Sequence, residues 1–190
     1  MKKWKKSDKW ALGILFSFIG LFVVAYLGGP GIGIGEVLRQ KKSQTEKDLT
    51  ALHHALNYFY GEYARLPSIG SEGETVLTEG PEGVKLLLIM IGKEEEGPGL
   101  QNPRQIAFLN VRRSRNKNKG GLFYNNGGTG ALEGFYDAWG NPFHVYLRKL
   151  GSSSLSFSHL SQTVSLDQPA AVFSCGPDKI PGTKDDLKSW

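Results

Sequence analysis

Hydrophobic and polar positions follow three rhythms along this 190-residue chain. The first is an unbroken apolar run, "WALGILFSFIGLFVVAYL", residues 10–27, with no charged residue. At about 1.5 Å per helical residue it reaches roughly 27 Å, close to the hydrocarbon thickness of a bilayer. A glycine-rich break follows, "GGPGIGIGE", residues 28–36. The second rhythm starts at about Val37. Leu49, Leu52, Leu56, Phe59 and Tyr63 recur at spacings of three and four, which predicts the apolar stripe of an amphipathic helix. Pro67 predicts its end.

"VKLLLIMIG", residues 84–92, is too short to span a membrane and predicts a short buried helix after the "PEG" start. The third rhythm has period two and begins after Asn141. "PFHVYLRKL" alternates Phe143, Val145 and Leu147 against His144, Tyr146 and Arg148; "SLSFSHLSQTVS" alternates Leu155 and Phe157; "AAVFSC" is mostly apolar. Three such strands predict a small antiparallel sheet that needs a cover, and the amphipathic helix supplies one. The expected class is α+β, with an N-terminal transmembrane helix and then a helix laid on a sheet. The segments "SIGSEGETVLTEGPEG", "KEEEGPGLQNP", "NVRRSRNKNKGG" and "YNNGGTG" read as loops, and Glu94–Glu96 as a solvated acidic turn.

Charge adds topology. Lys2, Lys3, Lys5, Lys6 and Lys9 precede the apolar run, so residues 1–9 are expected in the cytoplasm, residues 10–27 as a single-pass anchor, and residues 37–190 outside. Trp10 and Tyr26 fall where interfacial aromatics belong. A cleaved signal peptide is the competing reading; its apolar core would be long, and no A-x-A site precedes the glycines. A second basic cluster, Arg112, Arg113, Arg115, Lys117 and Lys119, can touch lipid headgroups, an acidic partner or nucleic acid. No aromatic residue is interleaved with it; only Phe108 and Phe123 flank it, so nucleic acid is the weaker partner and a solvated loop the plainest reading. The single cysteine, Cys175, rules out an intramolecular disulfide.

Candidate chemistry is sparse. The G-x-G-x-G run follows no strand, which speaks against a nucleotide loop. His53 and His54 are about 100° apart on one helix and cannot share a metal on one face. Cys175 has no evident histidine partner, and His144 and His159, set on neighbouring strands, lack a third ligand, so no catalytic residues are assigned. "DAWGNPF" reads as a turn: Asp137 caps it, Gly140 takes a positive φ, Pro142 fixes the strand entry and Trp139 packs on the helix. In the closing "SCGPDKIPGTKDDLKSW", Gly176, Pro177, Pro181 and Gly182 allow Asp178, Asp185 and Asp186 to converge, with carbonyls near Ser174 and Cys175 completing an oxygen shell for calcium. Spacing alone favours a plain Gly/Pro turn. Leu187 and Trp190 would pin the far end of the loop.

"ALNYFYGEYARLP", "DAWGNPF" and "SCGPDKIPGTKDDLKSW", in that order, resemble the major pseudopilin of type II secretion systems and its type IV pilin-like relatives. The resemblance covers about Lys42 to Trp190, with insertions at the basic cluster and at Ser152–Leu166. The family's prepilin signature is not matched: Gly13 is followed by "ILFSF", and the apolar run holds no glutamate. The resemblance implies a membrane-anchored structural protein of a secretion or pilus-type assembly. It also implies calcium held in the terminal loop through Asp178, Asp185, Asp186 and a carbonyl at Ser174, with pseudopilin subunits, a second copy or the bilayer as partners. A tethered, non-polymerising binding module and a DNA-uptake protein using residues 112–119 are the alternatives.

Overall fold

The computed structural model describes residues 33–70 and 75–190. The basic flank 1–9, the expected anchor 10–27 and residues 28–32 lie outside the described residues. The chain divides into two compact units, Met1–Arg39 and Gln40–Trp190. In the first, the exposed Glu36–Arg39 ion pair closes at 2.8 Å; exposed pairs of this kind contribute little to stability. Among the described residues, no helix is long and apolar enough to cross a membrane.

Helix α1 runs from Ile34 to Tyr63 and takes up Ile34–Glu36 of the expected glycine break. Its stripe is buried as the spacing requires: Leu49, Leu52, Ala55, Leu56 and Phe59 are all at most 3% exposed. Tyr63 ends the stripe half-buried, its hydroxyl donating to Asn102 Oδ1 at 2.8 Å. Strand β1, Thr75–Leu77, lies in a segment that reads as loop. Helix α2, Gly80–Met90, starts with Pro81 in its first turn and buries Leu86, Leu87, Ile89 and Met90. It begins and ends slightly before the expected bounds. Glu94 is no solvated turn residue: its Oε2 accepts from the N–H groups of Gln101 and Asn102 at 2.8 and 2.9 Å.

Among the described residues, three sheets follow. Strands β2 (Arg113–Ser114), β3 (Gly121–Tyr124) and β4 (Leu132–Tyr136) form one, with β2 parallel and β4 antiparallel to β3. Strands β5 (His144–Leu147), β8 (Ala170–Ser174) and β9 (Leu187–Lys188) join β1 in a four-stranded antiparallel sheet of order β1-β5-β8-β9. The stretch expected as one strand after Ser154 folds back on itself. It gives β6 (Leu155–His159) and β7 (Gln162–Leu166), a hairpin turned by Leu160 and Ser161 at φ 53° and 58°. Two adjoining positive φ values define the tight turn whose twist suits a two-residue hairpin. The α+β class holds, but with two sheets and a hairpin where one sheet was expected.

One hydrophobic cluster joins α1, α2, Phe135 of β4, Phe143, Val145 of β5 and Val172 of β8. Half-buried Leu187 packs against it.

Candidate functional site

The turn between β4 and β5 is built on Asp137, which is completely buried. Its Oδ1 accepts from the N–H groups of Trp139 and Asn141, both at 2.8 Å. Its Oδ2 accepts from Asn141 Nδ2 at 2.8 Å and from Ser174 Oγ at 2.6 Å. Gly140, at φ 89°, completes the reversal, as the turn chemistry requires. Asn141 Nδ2 also donates to the Gly176 carbonyl at 2.8 Å, and Gly176 N–H donates to Ser174 Oγ at 3.1 Å. From the other side, Ala138 N–H donates to buried Thr45 Oγ1 of α1 at 3.1 Å. The turn and the start of the terminal loop therefore meet at one buried carboxylate, and the helix holds the backbone N–H next to it. Asp48, one turn beyond Thr45, is also buried, and burial pushes its carboxyl above the usual range while Gln44 and the Arg112 charge pull it back.

The terminal loop folds back as its glycines allow. At Gly176, φ 67°, a Cβ would sit 2.6 Å from the Asp185 carbonyl oxygen, so only glycine fits this approach. Asp178 Oδ1 accepts from Ile180 N–H at 2.9 Å, and Asp185 Oδ2 lies 3.4 Å from Asp178 N. Thr183 Oγ donates to Asp185 Oδ1 at 2.6 Å and holds that carboxyl below its usual range. Asp178 is exposed and Asp185 half-exposed. Asp186 turns the other way: its side chain is inaccessible, with Oδ2 accepting from Gly182 N–H at 2.8 Å and lying 3.3 Å from His159 Nε2.

The three aspartates thus do not converge as expected. Asp178 and Asp185 adjoin, and Asp186 is spent inside the fold; at Ser174, where the carbonyl is the expected ligand, the hydroxyl donates to Asp137. Among the described residues, no three His, Cys, Asp or Glu side chains gather as a metal-binding set. What the loop offers a hard cation is two carboxylates and its carbonyls, with water needed for the remaining coordination.

Trp190 packs edge-on to Phe157 and His159, with ring centroids 5.1 and 5.3 Å apart. Tyr146 stacks on Phe157 at 3.9 Å, so the hairpin is held to the four-stranded sheet by aromatic contact. Ser189 N–H donates to the Val172 carbonyl at 3.0 Å and Val172 N–H to Ser189 Oγ at 2.9 Å, which carries the chain's last residues along β8. Trp139, in contrast, is only half-buried, outside the hydrophobic cluster, and its indole N–H is enclosed with no partner.

Cys175 does have a histidine partner: its Sγ lies 3.2 Å from His144 Nε2. Register brings them together, because His144 pairs with Phe173 and Cys175 follows two residues on. No sequence spacing predicts that contact. Burial and the surrounding aspartates push the thiol up to about 12, so it stays protonated at neutral pH. His144 and His159 both pack on Phe173, stacked at 4.3 Å and edge-on at 5.0 Å.

The basic cluster is partly absorbed into the fold. Arg113 lies over the Tyr124 ring at 4.9 Å, and Lys117 over the Tyr136 and Phe123 rings at 4.8 and 5.4 Å. Phe108 packs on Phe59 at 5.4 Å. Neither flanking phenylalanine is therefore a free stacking platform for a base.

No known protein family, curated protein or solved structure matches this chain.

Proposed function

We propose that the chain is a membrane-anchored, pseudopilin-like structural protein of a type II secretion or pilus-type assembly. Its residues 37–190 face outward, and it acts through protein–protein contacts rather than catalysis. The observation that carries this reading is the buried Asp137 junction. Two of the stretches that resemble pseudopilins, the "DAWGNPF" turn and the terminal loop, are far apart in sequence yet joined at that carboxylate, and Thr45 of α1, ten residues before the third stretch, accepts from the adjoining Ala138 N–H. Residues 10–27 supply the anchor, and the five lysines before them set its direction.

Cross-linking of the full-length protein in its native membranes tests the assembly role. Other pilin-like subunits should be recovered bound to it. Recovery of no such subunit favours a tethered binding module that keeps the fold without joining an assembly.

The same reading assigns calcium to the terminal loop, with Asp178 and Asp185 as its carboxylate ligands. A cation that binds only the folded state stabilises it by about 2.7 kcal/mol at a hundredfold excess over its dissociation constant. For a chain of this length that raises the melting temperature by about 5–11 °C. Calcium should therefore raise the melting temperature over chelator, and Asp178→Ala should erase the difference. Asp186→Ala should destabilise the protein with and without calcium, because its partners Gly182, Thr183 and His159 hold it inside the fold. Identical wild-type curves in calcium and chelator would reduce the loop to a plain Gly/Pro turn.

A further inference from the structure

The β6–β7 hairpin carries an edge that the rest of the fold leaves open. Strand β6 has one outward backbone group taken, the Ser158 carbonyl, which lies 3.5 Å from the Tyr146 hydroxyl of β5, and the Tyr146 ring stacks on Phe157. Strand β7 pairs only with β6 among the described residues. Gln162, Thr163 and Ser165 are exposed.

Exposed edges are ordinarily blunted by shortness, by charge, by proline or by a bulge. The other edge strands here are so treated. Strand β9 has two residues including Lys188, β2 has two including Arg113, and β1 has three. Gly134 of β4 is bridged by Glu79. Strand β7 has none of these devices. It is five residues long, pairs with β6 without a register shift and contains no proline. Residues 150–166 include no Lys, Arg, Asp or Glu in a chain that is 22% charged.

The hairpin geometry fixes which groups point outward. With a two-residue turn, His159 and Gln162 form the closing hydrogen-bonded pair. Bonding then alternates, so Phe157–Val164 and Leu155–Leu166 exchange bonds inside the hairpin. The N–H and C=O groups of Thr163 and Ser165 therefore face away from β6.

We propose that this edge docks a second copy of the chain, strand β7 against strand β7, antiparallel about a two-fold axis at Val164. That register is the self-complementary one. Thr163 of each copy faces Ser165 of the other, both with outward backbone groups, and Val164 faces its counterpart. No charge meets its own image: Asp167, the first charged residue after the strand, faces Ser161. The edge stands independently of the pseudopilin-like reading, since a chain that meets no secretion assembly can still dimerise through it.

Sedimentation equilibrium of the detergent-extracted full-length protein tests the proposal. The wild type should show a monomer–dimer equilibrium. Thr163→Lys with Ser165→Lys sets like charges opposite each other twice and should weaken the dimer about tenfold or more. Thr163→Lys with Ser165→Glu instead sets a lysine opposite a glutamate at both places, and should return the constant to within about threefold of the wild type. Both variants carry two exposed substitutions, so equal melting temperatures separate loss of pairing from loss of folding. A wild type that stays monomeric overturns the proposal. So does a dimer indifferent to the paired lysines, which forms elsewhere, or a Lys/Glu variant as weak as the Lys/Lys one, which rules out this register.

Discussion

Asp137→Ala should destabilise the protein by about 3–5 kcal/mol, lowering the melting temperature by roughly 6–20 °C. The carboxylate is the acceptor for four donors: the N–H groups of Trp139 and Asn141, the Asn141 side-chain amide and the Ser174 hydroxyl. Alanine leaves all four without that acceptor in a place water does not reach. The cost follows from the donors stranded, each about 1–3 kcal/mol when unpaired and only partly relieved by relaxation. Asp137→Asn keeps an acceptor for the two backbone N–H groups but presents its own amide to Asn141 and Ser174. It should lose about half as much. Thermal unfolding of both variants checks the order. A loss below about 1 kcal/mol for alanine would mean that the turn holds without its carboxylate.

Phe143→Ala should cost about 3–5 kcal/mol, and Trp139→Ala less than half of that. The two aromatic residues lie in one short motif, and the larger is the less important. Phe143 is completely buried, its ring 4.8 Å from that of Phe135, and it belongs to the central cluster. Its backbone N–H donates to Thr78 Oγ at 2.8 Å, which fixes the side chain's entry into the core. Removing the ring forfeits its transfer energy and leaves a cavity in a packed interior. Trp139 is half-buried, and its enclosed, unpartnered indole N–H offsets part of what its burial contributes. Equal losses for the two variants would place the tryptophan in the core after all.

Helix α1 was readable because five apolar residues at helical spacing leave little else for that stretch to be. The turn at Asp137–Asn141 was readable because Asp, Gly and Pro each constrain the backbone for a separate reason. Strand β1 and the sheet of β2, β3 and β4 were not. Their strands have two to five residues, and glycines at 121 and 134 interrupt the alternation. What Gly134 permits is visible only in three dimensions: a Cβ there would sit 2.7 Å from the Thr78 carbonyl oxygen. The hairpin was missed because neither Leu160 nor Ser161 is a residue type that favours positive φ, yet both take it.

The terminal loop illustrates the same limit. Its reversal follows from glycine and proline, but the direction of each aspartate depends on register. Strand β9 pairs Leu187 with Ser174, and Asp186, the residue just before β9, is drawn inward to Gly182 and His159. Neither that nor the Cys175–His144 contact can be read from spacing, because the partners arrive from other strands.

The outward-facing, membrane-anchored arrangement is tested most directly by paired reporters fused after Trp190. One is a phosphatase active only after export, the other a fluorescent protein that matures only in the cytoplasm. With five lysines flanking residues 10–27 on their N-terminal side, the expected result is an active phosphatase, a dark fluorescent protein and fusion protein recovered in the membrane fraction. A bright fluorescent protein with an inactive phosphatase would place residues 37–190 in the cytoplasm and contradict the pseudopilin-like function.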